Sequence, residues 1–399
     1  MKIFFLTPRV PYPIDKGDKL RAFYQIKYLS KNHQIYLFTL DENCSYSPIN
    51  DPLLELCNEV QVIKLTRVQI IINLLFGLFR SIPLQTSYYY SKKIKDEIDD
   101  AIKQFKPDLI YCQLIRSAEY VREINSITKI IDYVDVISKG LSRRAEKSNM
   151  FLKLLLRFEY KRAVKYEKLV YDQFDKSIII TEEDRNLLPF VERGNVNIIP
   201  NGIDTEYYAP IIYEKKYDLF FSGNLRYPPN INSAKYIVHE ILPLVKKEIP
   251  HIKVLIAGAA PNNFMFSLQS ESVDVKGWID DVRDYYKTAK IFLAPMQIGT
   301  GLQNKLLQAM AMKLPCVTSD LTRKGIAARE KNILLVAETP AEYTNMIIKL
   351  LKDEKYADDV ANRGYDYIKA TFDWVKIIGD LESIFVETVK NLKVVQSIK

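Results

Sequence analysis

Two glycines and a lysine mark the part of this chain where chemistry is easiest to foresee. An apolar run at residues 291–294 is followed by Gly299 and Gly301, a helical pattern from about Leu302 to Leu314, and a second apolar run at 316–319. Strand, glycine loop, helix and strand in that order let the backbone turn and then aim unbonded amides at one spot. The glycines remove Cβ atoms where a ligand must come close. The positive end of the helix dipole attracts an anion, and phosphate is the usual one. Asn304 and Lys305, in the first turn, can reach the same anion. This segment points to an enzyme that uses a nucleotide diphosphate.

The remaining composition bounds the problem. A chain of 399 residues, 48% apolar, is long enough for two domains with real cores. Thirteen glycines and eighteen prolines are ordinary, which excludes low complexity. Cys44, Cys57, Cys112 and Cys316 are scattered, without metal-like spacing. A chain of this size without a cysteine framework suits a reducing cytosol. His33, His239 and His251 are the three histidines, too few and too far apart for a multi-histidine metal site. No signal peptide is expected, because Thr7, Pro8 and Arg9 interrupt the first apolar run. Residues 70–79 are apolar but reach only about half the length of a membrane span. They read as a buried or interfacial helix.

The net charge of +8 is concentrated. Residues 143–168 hold nine Lys or Arg against three Glu. Lys153, Arg157, Lys161 and Lys165 recur every fourth residue and make one helical stripe. Leu152, Leu155, Leu156, Ala163 and Tyr166 make another. Such a helix suits anionic lipid headgroups or a negatively charged substrate. An ordinary solvated helix face is the alternative. Nucleic acid is not expected, since no nucleic-acid motif accompanies the charge.

Strands and helices alternate along the chain. Strands are expected at 2–7, 34–40, 108–112, 129–133, 176–181 and 196–199. The pattern restarts at 217–222 and continues through 253–257, 273–276, 291–294, 316–319 and 333–336. Helices are expected at 20–31, 230–247, 302–314, 340–352 and 354–369. Alternation of this kind implies doubly wound parallel sheets. Two such series imply two Rossmann-like α/β domains facing across a cleft. The expected division is 1–203, 204–371 and a C-terminal helix, 372–399, packing back toward the first domain. Trp374, Ile377, Leu381, Ile384 and Phe385 give that helix an apolar side.

The chain resembles the retaining GT-B glycosyltransferases of family 4, more closely the sugar transferases associated with exopolysaccharide and exosortase systems. The matching residues begin with Lys16-Gly17-Asp18-Lys19-Leu20-Arg21-Ala22 and Asn201-Gly202-Ile203-Asp204. Next are Ser222-Gly223-Asn224, Tyr227-Pro228-Pro229-Asn230, and Gly277 with Asp280-Asp281-Val282-Arg283. Gly301-Leu302-Gln303-Asn304-Lys305, Ala309-Met310-Ala311-Met312 and Pro315-Cys316-Val317 complete the set. The resemblance implies a nucleotide-sugar donor held mainly by the second domain, an acceptor held by the first, and no metal or other cofactor. It places the diphosphate at Gly301 and Leu302, with Lys305 and Arg226 as counter-charges. Gly17 would approach from the first domain, and Trp278 would wall the base. Gly223, Asn224, Asn230, Gly258, Thr300 and Asn304 complete the donor set. Fixed donors of this kind stabilise charge developing on a departing diphosphate.

Family 4 enzymes commonly carry glutamates where this chain has Thr300 and Gln308. The amide of Gln308 can still bond a ribose hydroxyl, without the added strength of a charge. It could equally be a helix surface residue. The usual histidine of the first domain is missing. Asp135 lies near the end of a buried strand and could take the acceptor's proton, or simply cap the next helix. Asp18 is a second candidate base, or a loop residue bonding its own turn.

These features predict transfer of a sugar, with retention, from a nucleotide-diphosphate sugar to a glycan or lipid-linked saccharide in cell-surface polysaccharide synthesis. The enzyme would be cytoplasmic, held to the inner face of the membrane by its basic helix. The alternative is a catalytically impaired GT-B partner subunit of a polysaccharide assembly complex. An epimerase on a similar scaffold is disfavoured, since its acidic and histidine residues are not evident.

Overall fold

The computed structural model describes residues 1–14, 16–42, 46–146, 148–279, 281–298, 302–326 and 333–398. Cys44, Asp280, Gly299, Thr300 and Gly301, singled out above, lie outside the described residues. The chain divides into Met1–Pro200 with Ile377–Lys399, and Asn201–Lys376.

The first unit is built on β1 (Lys2–Thr7), β2 (Gln34–Asp41), β3 (Glu59–Lys64), β4 (Leu109–Gln113), β5 (Thr128–Asp132), β6 (Lys176–Ile179) and β7 (Asn197–Ile198). They form one seven-stranded sheet in the order β3-β2-β1-β4-β5-β6-β7. All its pairs are parallel, and Phe5 of β1 lies between Leu37 and Tyr111. Helices cover both faces, so the central strands are apolar nearly end to end. Ile3 to Leu6 and Leu109 to Cys112 are fully buried. The helices that bear on function are α1 (Gly17–Leu29), α2 (Arg67–Leu78), α3 (Leu84–Tyr89), α4 (Ile137–Glu146) and α5 (Met150–Gln173).

The second unit repeats the plan with β8 (Tyr217–Ser222), β9 (Val254–Ala257), β10 (Val273–Lys276), β11 (Ala289–Ala294), β12 (Cys316–Thr318) and β13 (Leu335–Val336). Its order is β10-β9-β8-β11-β12-β13, again parallel throughout. Here α6 (Pro228–Tyr236) follows β8, α7 (Asn304–Ala311) follows β11, and α8 (Trp374–Ile398) closes the chain. Each sheet reverses its strand order once, between β1 and β4 and between β8 and β11. Ligands collect outside the carboxyl ends of the strands at such a reversal.

Where the chain enters and leaves the second unit, its two segments are joined. Ile203 donates its N–H to the Phe372 carbonyl at 2.7 Å. A Cβ on Gly202 would sit 2.6 Å from the Trp374 ring, so only glycine permits the approach. Beyond it, Ile377, Leu381 and Phe385 of α8 are buried, and Phe385 meets Tyr111 of β4 with ring centres 5.4 Å apart. His33 bonds Glu382 of α8 at 2.8 Å, a structural role.

Among the elements that differ from expectation, three stand out. β3 is a half-exposed edge strand, too polar to register as a strand in an apolar count. The helix Lys92–Phe105 was not foreseen, although Ile94, Ile98, Ala101, Ile102 and Phe105 bury one face of it. The single basic helix expected over 143–168 is two, α4 and α5, because the Asn149 side chain caps α5 by accepting from the Leu152 N–H at 3.1 Å.

One buried ion pair ties the first unit together. Arg21 of α1 and Asp132 of β5 are both fully buried, with Nε 2.6 Å from Oδ2. The Tyr111 hydroxyl donates to the same carboxylate at 2.6 Å, and an Arg21 Nη donates to the Pro200 carbonyl at 3.2 Å. Removing one partner strands a charge away from water, which costs about 3–5 kcal/mol. Asp132→Ala is expected to lower the unfolding free energy of the first unit by about that amount, read as a lower urea midpoint, and Arg21→Met combined with Asp132→Leu to recover much of it. An unchanged midpoint in Asp132→Ala would show that the pair carries no such burden.

Candidate functional site

The carboxyl ends of β8 and β9 are held together by two glycines. Gly223 and Gly258 have φ of +154° and +153°. A Cβ on Gly258 would lie 1.8 Å from the Gly223 carbonyl oxygen, and one on Gly223 would lie 2.6 Å from Asn230 Nδ2. No side chain fits at either place. Asn230, buried in the first turn of α6, donates to the Asn224 carbonyl at 2.9 Å and accepts from Lys305 Nζ at 2.6 Å. Lys305 thus reaches back from α7 to the start of α6.

Lys305 is partly buried, with its ammonium 4.7 Å from the Phe221 ring centre and 3.4 Å from the Met296 sulfur. No carboxylate pairs with it among the described residues. Burial without a counter-charge pushes its pKa down to about 7. Helix α7 starts at Asn304 rather than Leu302, and its N-cap, Gln303, makes no side-chain cap. Asn304 Oδ1 is buried with no hydrogen-bond partner among the described residues. Leu302 opens the described segment before α7, while Thr300 and Gly301 lie outside it. A lysine short of a counter-ion, an unsatisfied amide oxygen and an uncapped helix start therefore share one locality.

Gln308 lies one turn further on, and it is not a free surface residue. Its Nε2 donates to the Tyr208 hydroxyl at 2.8 Å, and its Oε1 is 3.0 Å from the Tyr286 hydroxyl. Tyr286 is fully buried and also lies 3.0 Å from Ser222 Oγ. Neither tyrosine was legible as a site residue, since nothing in their spacing links them to Gln308. Arg226 is exposed, and its backbone N–H donates to Asn224 Oδ1 at 3.0 Å. Trp278 is 73% exposed.

In the first unit, Gly17 opens α1, and an added Cβ there would meet nothing within 4 Å. Asp18 is not a lone carboxylate. Arg9 binds it at 2.8 Å and binds Glu42 at 2.9 Å. Burial opposes ionisation of Glu42, but the Tyr89 hydroxyl bond and Arg9 outweigh it and hold the carboxyl below its ordinary value. Arg9, Tyr12, Lys16, Asp41, Glu42 and Asp51 are among the residues that line a cavity of about 290 Å³ at the ends of β1 and β2. A larger one, about 640 Å³, lies by Met1, His33 and Asp108 at the amino ends of the strands, away from these groups.

Asp135 follows β5 on a distorted loop. Val134 before it has φ of +62°, and Leu114, after the adjacent β4, has φ of +63°. Side-chain-bearing residues rarely hold that conformation, and such strain gathers where function needs it. Asp135 keeps an open face to solvent, yet the protein around it withdraws enough water to hold its carboxyl above its ordinary value. Asp184 and Asp18 add to that shift, and Arg116 opposes it. The capping of α4 falls to Glu167 of α5. Its carboxylate accepts from the Ser138 N–H at 3.0 Å and from Ser138 Oγ at 2.6 Å. Burial pushes Glu167 up to about 7 against those bonds. Sequence reasoning missed Arg9, Glu42 and Glu167 because their partners are distant in the chain.

Comparison with known proteins agrees with this architecture. Residues 216–353 match the family of glycosyl transferases group 1. A Klebsiella pneumoniae protein described as an uncharacterized 44.6 kDa protein in the cps region is 23% identical over 408 residues, covering 95% of this chain and 98% of that one. The UDP-Gal:alpha-D-GlcNAc-diphosphoundecaprenol alpha-1,3-galactosyltransferase of Escherichia coli is 23% identical over 242 residues, 54% of this chain and 59% of that one. HepE of Anabaena, solved in complex with UDP, superposes with a TM-score of 0.68 at 14% identity, covering 97% of this chain and all of that one. Sucrose-phosphate synthase from Thermosynechococcus elongatus gives 0.66 at 15%, covering 97% and 98%. The two parallel sheets are those of the GT-B fold, and the second carries the group 1 glycosyltransferase match.

The lowered pKa of Lys305 has a signed consequence for stability. Unfolding restores the ordinary value of 10.5 from about 7, so the unfolded chain binds more protons between those limits. The cost of burying the ammonium is full below pH 7 and fades as pH rises toward 10.5. Lys305→Met is expected to raise the melting temperature of the second unit at pH 6, with the gain shrinking by pH 9. A gain that is independent of pH would contradict the shift.

Proposed function

We propose that this protein transfers a sugar, with retention of anomeric configuration, from a nucleotide-diphosphate sugar to a glycan or lipid-linked saccharide acceptor in cell-surface polysaccharide synthesis. The observation that carries the proposal is Lys305, held without a counter-charge beside the Gly223–Gly258 contact at the carboxyl ends of β8, β9 and β11. A diphosphate would supply the missing negative charge. Binding would raise the lysine's pKa and draw in a proton, so affinity should fall as pH rises above 7.

In this reading Leu302, Asn304 and Lys305 hold the diphosphate with Gly301. Asn224 and Asn230 shape the wall beside Gly223 and Gly258. Arg226 is an exposed second cation, Trp278 an exposed face for the base, and Gln308 a ribose contact already oriented by Tyr208 and Tyr286. Gly17 leaves the start of α1 open to a ligand. Asp135, next to the strained Val134 and raised in pKa, is the group best placed to handle the acceptor's proton. Asp18 is better read as the partner that orients Arg9. The chain's own groups are proposed to suffice, with neither metal nor cofactor. The basic stripe on α5 is proposed to keep the enzyme at an anionic membrane surface, on its cytoplasmic side.

The relative named above for UDP-galactose, and the UDP complex of HepE, make UDP and its sugars the first ligands to try. UDP is expected to raise the melting temperature, and Lys305→Met to weaken its binding roughly 10- to 100-fold at pH 7. Asp135→Asn should leave that binding intact and lower kcat by about 10²- to 10⁴-fold toward a lipid-diphosphate saccharide. If no nucleoside diphosphate shifts the melting curve and no nucleotide sugar turns over, the proposal is wrong. Activity that rises in Gln308→Glu would favour an impaired partner subunit over a working transferase.

A further inference from the structure

Helix α2 is amphipathic the wrong way round. Its buried residues are Asn73 and Gly77. The Asn73 amide donates to the Tyr88 carbonyl at 3.2 Å, and Gly77 lies so close to Ser87 that a Cβ would come within 2.5 Å of it. Its outward face is Val68, Ile71, Ile72, Leu75 and Phe76, continued by Phe79, which is 91% exposed. Spacings of three and four residues place these side chains on one stripe. A helix packed only on its own core would bury that stripe.

The stripe continues onto α5. Arg162 of α5 donates to the carbonyls of Gly77, Arg80 and Ile82, and so pins the end of α2 to the middle of α5. From there α5 runs back toward its start through exposed Phe158, Leu155, Leu154, Phe151 and Met150. The charges within these two segments have one sign, and the next carboxylate along α5, Glu159, is buried against Arg162. Residues 65–84 and 148–158 contain Arg67, Arg80, Lys153 and Arg157 and no Asp or Glu. An apolar ridge with a cationic rim matches the boundary between acyl chains and anionic headgroups. Twelve residues of helix span about 18 Å, well short of a bilayer core. Among the described residues no helix is long and apolar enough to cross a membrane.

We infer that the outward face of α2, with the exposed start of α5, inserts into the surface of an anionic lipid leaflet and lies in its plane. The surface extends toward chemistry. Helix α3 packs on α2, and the Tyr89 hydroxyl at its end donates at 2.7 Å to Glu42, which borders the 290 Å³ cavity. A lipid-linked acceptor in the same leaflet would bring its polar end near that cavity. This use of the surface rests on the lipid-linked acceptor reading above, whereas the docking itself does not.

The test uses the full chain and phosphatidylcholine vesicles with and without phosphatidylglycerol, in the absence of any sugar. Sedimentation with the anionic vesicles should be tighter by roughly tenfold or more. Phe76→Trp should show blue-shifted emission on vesicle addition. The triple variant Ile72→Glu, Phe76→Glu and Phe79→Glu alters exposed positions and should keep the wild-type melting curve and UDP response. It should lose the vesicle binding. Wild-type protein that stays in the supernatant overturns the inference, as does a triple variant that binds as before. A dimer in analytical ultracentrifugation that the triple variant abolishes, without vesicle binding by the wild type, would assign the surface to a second copy instead. Loss of UDP response with vesicle binding retained would refute the sugar-transfer reading and leave the docking standing.

Discussion

The first unit depends on a charge buried where water cannot reach it. Arg21 and Asp132 have no exposed surface, so each must be neutralised by the other and by fixed dipoles. Tyr111, Gln25 and the Pro200 carbonyl complete the shell. The geometry can be met only if α1, β4, β5 and the chain leaving β7 are all in register. The same elements carry Gly17 and Asp18 at the start of α1 and the strained Val134–Asp135 loop after β5. An interaction deep in the core therefore fixes the spacing of groups at the edge. Burying the pair costs solvation, which favours one arrangement over near neighbours that would leave a charge unpaired.

The second unit works by exclusion of side chains. Gly223 and Gly258 bring two backbones within contact, and Asn230 fills what space remains. Lys305 is then enclosed by an aromatic ring, a thioether and an amide oxygen, none of which carries charge. Such a lysine is poorly solvated in the free protein and gains most when an anion arrives. Gln308 illustrates the opposite state. Both ends of its amide are occupied by phenols, so its orientation is set before any ligand binds. The two hydroxyls suit an amide at that position.

Much of the fold could be read from the chain. Lys2–Thr7 and Tyr217–Ser222 form strands at the expected bounds, because buried parallel strands need nearly continuous apolar runs. β3 escaped notice because an edge strand needs no such run. The break between α4 and α5 is a cap at Asn149, a one-residue signal inside a periodic pattern. Residues 70–79, read as a buried or interfacial helix, turn an almost wholly apolar face to solvent. Composition cannot separate those two cases, since it does not say which side of a helix finds the core.

Periodicity and residue type by themselves determined two α/β series, their break near residue 200, the glycines at strand ends and the lysine at a helix start. These are local properties, set by backbone sterics and by which side chains avoid water. Tertiary structure alone decided which distant groups meet. Arg9 with Asp18 and Glu42, Glu167 with Ser138, and Gln308 with Tyr208 and Tyr286 are pairings across folded space. So too is the outward aim of α2. Hydrogen bonds and desolvation act over a few ångströms, and only the packed chain brings those groups within that range.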